Sequence, residues 1–218
     1  MSNYNGDPAR DEIQSISNGD VTVYKTSVGD MSNNCYLLVK DGKALLIDAS
    51  DNADHLLAMV ENAGAELTHV VTTHSHADHV QALGEVLERT GATHITSALD
   101  APDIPAKADR ALDQGDTIEF QGLSLPCIIL RGHTKGGLAV VLDTDSSDPA
   151  HLFVGDSLFP GGVGKTWSEE DFGVLLGDVE KRIFDTFDGS AVVHPGHGAD
   201  TTVGAERPNL PEWRERGW

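Results

Sequence analysis

Between Thr72 and His79 the chain runs Thr-Thr-His-Ser-His-Ala-Asp-His, placing three imidazoles and a carboxylate within six residues, directly after the apolar pair Val70-Val71. Imidazole nitrogens and carboxylate oxygens are the ligands that zinc and similar cations take. The same juxtaposition recurs further on: Ile128-Ile129-Leu130 leads to His133, Phe153-Val154 to Asp156, and Val192-Val193 to His197. Four strand ends would thus meet at one edge. In extended chain, residues i and i+2 point to the same side, so His74 and His76 can share an ion. Asp78 and His79 lie where the chain turns into the next helix and can face another. Zinc accepts three or four protein ligands at about 2.0–2.3 Å, and a catalytic site leaves a position open for water. The whole set exceeds one ion and implies two. His74, His76 and His133 would hold the first, Asp78, His79 and His197 the second, and the Asp156 carboxylate is the one ligand type able to bridge both.

Each residue also has an ordinary alternative. A histidine at a strand end is commonly hydrogen-bonded or solvated, and Asp78 alone would pass as a helix N-cap. The density of the 74–79 cluster is what draws His133, Asp156 and His197 into one set. His55, His69, His94 and His151 keep ordinary roles, while His194 competes with His197 at the end of the same strand. Gly164-Lys165-Thr166 invites a phosphate-loop reading, but that pattern needs a glycine five positions earlier, where Phe159 stands.

The positioning elements follow from periodicity. Apolar runs of strand length occur at 21–26, 34–50, 68–73, 117–121, 123–132, 138–143, 151–156 and 190–196. Lys40-Asp41-Gly42-Lys43 splits the second of these as a hairpin, because Asp-Gly accepts a type I′ turn. Leu56, Leu57, Val60 and Ala63 mark one helix, with Asp51 or Asn52 as cap and Gly64 as stop; Val80, Leu83, Val86 and Leu87 mark another, ended by Gly91. A third is expected from Glu169 to about Phe187. Hairpins with helices at intervals suggest two sheets packed face to face and covered outside by helices; a doubly wound parallel sheet is the alternative, against which the hairpins argue. With no linker to divide it, the chain is expected to form one domain over 21–218, after a polar segment 1–20 whose first ten or so residues are loose, and including a tail 198–218. Trp213 and Trp218 in that tail could each bury on the order of 200 Å², which predicts a docked tail.

Composition narrows the partners. The 218 residues are 39% hydrophobic and 23% charged, ordinary for a water-soluble globular protein. With 35 acidic residues against 15 lysines and arginines, the net charge of -20 argues against nucleic acid and anionic membranes. The start MSNYNGDPARDE lacks the features of a signal peptide, and no apolar run approaches the ~20 residues that span a bilayer, so a cytoplasmic location is expected. Cys35 and Cys127, the only two cysteines, lie inside apolar runs as buried thiols would. A homodimer is left open.

Taken in order, THSHADH (Thr73 to His79), GHT (Gly132 to Thr134), GD (Gly155-Asp156) and PGHG (Pro195 to Gly198) resemble the metallo-β-lactamase superfamily, from about Val21 to His197. The resemblance implies the α+β class, an αβ/βα four-layer sandwich with the metals at one edge of the sheets. LIDAS (Leu46 to Ser50) is similar to an early superfamily motif and implies that Asp48 orients the metal ligands. Within the superfamily, GDSLFPGGVGKTW followed by PGHGADTTVGAER looks most like the type II glyoxalases, or hydroxyacylglutathione hydrolases, especially short bacterial ones. That likeness gives Lys165 the role of holding an anionic part of the substrate, with Trp167, where relatives often carry Tyr, shaping the same pocket. Neither cysteine lies in a ligand motif, unlike one major subclass of true β-lactamases.

Two divalent ions, zinc first and iron or manganese at one or both sites as alternatives, would lower the pKa of a shared water toward ~7 and provide a bridging hydroxide as nucleophile. Asp78 would accept a hydrogen bond that aims it. A thiolate leaving group, of pKa ~8.5, needs little proton assistance, which favours an anionic thioester over amides, with lactones and other esters kept as alternatives. Persulfide dioxygenases, which use one iron held at His74, His133 and Asp156, are the rival from a different class. A metal-dependent binding module is a third option, disfavoured by the open coordination. Only 21 residues follow His197, where long glyoxalases add a glutathione-binding helical domain, so the thiol carrier is left open.

Overall fold

The computed structural model describes residues 4–144 and 147–217. The first sheet contains β1 (Ile13–Asn18), β2 (Val21–Val28), β3 (Asn33–Lys40), β4 (Lys43–Ile47), β5 (Glu66–Val71), β6 (Thr93–Ser97) and β7 (Arg110–Leu112), in that spatial order. Its first four strands pair antiparallel and its last four parallel, β4 belonging to both halves. The switch comes where α1 (Ala53–Asn62) and α2 (Leu83–Thr90) provide the crossovers that parallel pairing requires. In the β3–β4 turn Asp41 and Gly42 both adopt positive φ (51° and 71°), as a type I′ hairpin demands.

The second sheet is formed by β8 (Thr117–Phe120), β9 (Leu123–Leu130), β10 (Gly137–Leu142) and β11 (His151–Gly155), extended by two later strands. In sequence, the small hairpin β12 (Leu158–Phe159) and β13 (Gly162–Val163) and the helix α3 (Glu169–Val179), which runs on as a wider turn over Glu180–Phe184, lie between β11 and the next strand of the sheet. β14 (Val192–Pro195) joins β11 in parallel and β15 (Thr201–Thr202) flanks it antiparallel. The mixed, largely antiparallel order excludes the doubly wound alternative.

Alternation sorts each strand between two cores. Tyr36, Leu38, Leu45 and Ile47 face Leu125, Cys127, Ile129 and Val140 of the other sheet, while Leu37, Ala44 and Leu46 meet Leu56, Met59 and Val86 of α1 and α2. On the far side Ile128, Leu130 and Val141 pack on Phe172, Leu175 and Val179 of α3. The result is helix, sheet, sheet, helix: the four-layer sandwich, in one domain. Strands buried on both faces explain why the sequence shows continuous apolar runs rather than clean alternation. Cys35 and Cys127, both free and buried, belong to different cores.

Residues 4–20 are more ordered than their polarity suggests. β1 pairs along β2, and the Asn5 backbone donates to Gln14 Oε1 at 2.9 Å. The tail forms α4 (Val203–Glu206) and α5 (Leu210–Arg216), with Trp213 1% exposed and its ring 6.1 Å from that of Phe184. Trp218 lies outside the described residues. Among the described residues, no helix is long and apolar enough to cross a membrane.

Candidate metal centre

The ends of β5, β9, β11 and β14 come together at one edge of the sandwich, and each delivers its polar residues there. Ligand-capable atoms of His74, His76 and His133 lie within 4.8 Å of one another, as do those of Asp78, His79 and His197. The Asp156 carboxylate stands between the two groups: Oδ2 is 3.5 Å from His133 Nε2 and 3.4 Å from His197 Nε2, and Oδ1 is 3.5 Å from His79 Nε2. All the metal-site residues expected from sequence are therefore in one constellation. His194 is not: it is fully buried, 2.7 Å from His151 Nδ1 and stacked on Phe153.

Second partners orient the rings. His79 Nδ1 donates to Asp48 Oδ2 (2.9 Å), His133 Nδ1 to the Lys165 carbonyl (2.7 Å) and His197 Nδ1 to the Met31 carbonyl (3.0 Å). Thr73 Oγ1 donates to Asp48 (2.7 Å) and accepts from His74 Nδ1 (3.0 Å). With the proton on each Nδ1, every Nε2 presents a lone pair to the site. Asp48 also forms a ligand-distance group with His74 and His79, but its oxygens are engaged by Thr73 and His79, which makes it an orienting group.

These residues fit cations. His74 Nε2, His133 Nε2 and Asp156 Oδ1 are buried without a hydrogen-bond partner, a costly state for a polar group unless something binds it. His79 Nε2 and His197 Nε2 face each other at 3.2 Å, a spacing that a proton on one ring or a cation held by both would satisfy. Titration tells the same story. Burial pulls His79 down, but the hydrogen bond to Asp48 and the charges of Asp48, Asp156 and Asp78 push it up to about 9. Burial opposes ionisation of Asp156, yet the His197 hydrogen bond and neighbouring imidazoles hold it well below the usual carboxylate range. His74 and His133 are lowered, chiefly by burial, and stay neutral as ligands must.

Beside the first group opens a cleft of about 300 Å³ lined by Ser75, His76, His133, Thr134 and Trp167, among others. Trp167 is 66% exposed, its ring 6.5 Å from that of His76, and Lys165 Nζ sits 4.5 Å over it. The helix following Lys165 carries Glu169, Glu170 and Asp171 in its first turn, an anionic end that repels phosphate.

Several supporting residues carry no motif. Asn33 Nδ2 donates to Asp78 Oδ2 at 2.8 Å. Asp100, fully buried, accepts from the Ser75 amide (2.9 Å) and the Gly136 amide (2.8 Å), tying the His74–His76 loop to the loop after His133. Asp100→Asn would turn an amide N–H against one of those donors, leaving it unsatisfied. Chelator competition should find first-group metal affinity lowered about 10–100-fold, with the second group little changed. Equal loss at both would contradict this assignment.

The metallo-beta-lactamase superfamily profile matches residues 28–202. Hydroxyacylglutathione hydrolase GloC of Haemophilus influenzae is 27% identical over 198 residues, 82% of this chain and 91% of that protein. Mitochondrial persulfide dioxygenase ETHE1 of Bos taurus is 31% identical over 158 residues, 71% of this chain and 59% of that one. Longer hydroxyacylglutathione hydrolases are matched over less than half of their length. Among solved structures, TTHA1623 in a di-iron-bound form superposes with a TM-score of 0.70 at 27% identity, covering 84% of this chain and 96% of that one. Fold, profile and convergent ligand loops agree: the chain belongs to the metallo-beta-lactamase superfamily.

Proposed function

We propose that the protein is a dinuclear metal-dependent hydrolase that cleaves an anionic thioester of a low-molecular-weight thiol. The observation that carries this is the Asp156 carboxylate, whose two oxygens reach histidines of both ligand groups. Divalent ions held by His74, His76 and His133 and by Asp78, His79 and His197, with Asp156 shared, would supply a Lewis acid and a water of pKa near ~7. The donor set of imidazoles and carboxylates suits zinc, iron or manganese alike.

The chain's own groups supply the rest. Asp78, fixed by Asn33, is placed to accept a hydrogen bond from an attacking water. Trp167 offers a flat apolar wall, and Lys165 a point charge for a substrate carboxylate. A departing thiolate, of pKa ~8.5, leaves without a protein acid. The likeness to GloC and the di-iron form of TTHA1623 support thioester cleavage and two ions respectively.

A second reading has its own observation. The ligand atoms that are buried and unpaired, on His74, His133 and Asp156, are the set that would hold a single iron, and the ETHE1 likeness points the same way. Metal analysis of protein purified without added metal, run beside 2-hydroxyacyl-thioester turnover and oxygen uptake with glutathione persulfide, separates the two. Two equivalents and thioester hydrolysis without oxygen consumption are expected. One iron with oxygen uptake would establish the dioxygenase, and failure on both substrates would turn the reading to lactones or other esters.

Lys165→Ala should raise KM for an anionic thioester about tenfold, the ~1.4 kcal/mol of one partly exposed charge contact, with kcat within a few-fold and metal content unchanged. A neutral ester is the control. An equal effect on both substrates would remove Lys165 from anion binding.

A further inference from the structure

His197 lies in a loop with little stiffness of its own: glycines flank it on both sides, and its ring is 22% exposed, held through Nδ1 by the Met31 carbonyl. Yet three carbonyls around it are engaged from β2 and β3. Pro195 O accepts from Tyr36 OH (2.6 Å) and Asn34 Nδ2 (2.9 Å), Gly196 O from the Asn34 amide (2.7 Å), and Gly198 O from Asn34 Nδ2 (2.9 Å) and Lys25 Nζ (2.8 Å).

Lys25 is the unusual member. It is 0% exposed, and an ammonium taken wholly out of water is tolerated only when every N–H is matched. Its three donors meet the Gly198 carbonyl, Asp200 Oδ1 (2.8 Å) and the Gly6 carbonyl (2.8 Å). The Gly6 carbonyl also accepts the Asp200 amide at 2.9 Å. Asp200 Oδ2 in turn takes the Tyr4 hydroxyl and lies 3.1 Å from His194 Nδ1. One buried cation thus binds three chain segments: the N-terminal stretch, β2, and the loop that carries His197.

We propose that Lys25 is a positioning residue for the second ligand group, locking the His197 loop against the N-terminal stretch so that His197 Nε2 stays 3.4 Å from Asp78 and from Asp156. The metal readout rests on the two-ion reading; the loop readout does not. Asn34 and Tyr36 hold the same loop from β3, and the Asp200 amide and Tyr4 tie it to the N-terminal stretch, but the ammonium joins all three segments at one point, and apolar packing cannot replace it because the buried Asp200 carboxylate would lose its cation and two carbonyls a donor each.

The test compares wild type with Lys25→Met, which keeps the volume and removes the donors, well below both melting temperatures. Hydrogen exchange of residues 196–200 in metal-free protein should quicken at least about tenfold. Chelator competition should show the second group weakened about 10–100-fold with the first within about three-fold, and kcat should fall more than KM changes. General destabilisation would weaken both groups alike, so equal loss, or unchanged exchange over 196–200, overturns the proposal. If wild type holds only one ion, the two-ion reading fails by itself and the exchange comparison decides the role of Lys25. Should Lys25→Met not fold, Lys25→Gln, which keeps a donor for one of the three acceptors, is judged by the same measurements.

Discussion

Asp156→Ala should empty both ligand groups at once and lower kcat/KM by about 10⁴-fold, the scale on which metal-assisted catalysis collapses when the ions are lost. The reason is geometric. The Asp156 carboxylate, 11% exposed, lies within 3.5 Å of Nε2 atoms of His79, His133 and His197, so its removal takes the central anion from both positions. Against the opposing effect of burial, His197, His79 and His74 hold its pKa well below the usual carboxylate range. His197→Ala, by contrast, touches only the second group and should cost one equivalent. Elemental analysis after reconstitution and dialysis makes the comparison. One full equivalent retained by Asp156→Ala would mean that the carboxylate serves a single ion.

Gly164→Ala should be nearly as damaging, although Gly164 bears no functional group. A Cβ there would lie 1.7 Å from the Asp156 carbonyl oxygen, with Asp156 C at 2.9 Å and His133 Nδ1 at 3.3 Å. None of these is the free end of a flexible side chain. Room can be made only by moving the Asp156 backbone, or by pushing away the loop after β13 that carries Lys165, whose carbonyl orients His133. Overpacking of this kind costs about 3 kcal/mol, which for a chain of this size is a fall of about 6–12 °C in melting temperature. Metal content should fall with it. Gly173→Ala in α3 is the control: nothing lies within 4 Å of its Cβ, and alanine favours a helix interior by ~1 kcal/mol. A Gly164→Ala protein with wild-type melting temperature and metal content would show that the close approach is relieved without disturbing Asp156.

Much of this architecture could be read from residue order. The apolar runs ended where polar ligands began because strands buried on both faces must surface before a hydrophilic group can be carried, and the hairpin at Asp41-Gly42 follows from backbone sterics alone. β1, β7 and the β12–β13 hairpin were less legible. Ile13–Asn18 is an edge strand whose two isoleucines stand three apart rather than at a two-residue period, and the others span two or three residues, too short for periodicity to register. The choice between His194 and His197 was likewise open along the chain. Folding decides it, since His194 still belongs to β14 and turns into the packed interior, while His197 lies beyond the strand.

Donor chemistry is legible along the chain, because affinity for cations belongs to side-chain types and a dense run of them announces itself locally. So is the appearance of ligands at strand ends, since a two-residue period places side chains without reference to distant partners. Folding alone settles that Asp100 joins the loops of the first ligand group, that Gly164 leaves space for Asp156, and that Lys25 reaches Gly198 across 173 positions. These depend on contacts between remote segments, and a buried lysine or aspartate looks like any solvated one until the fold removes the water around it.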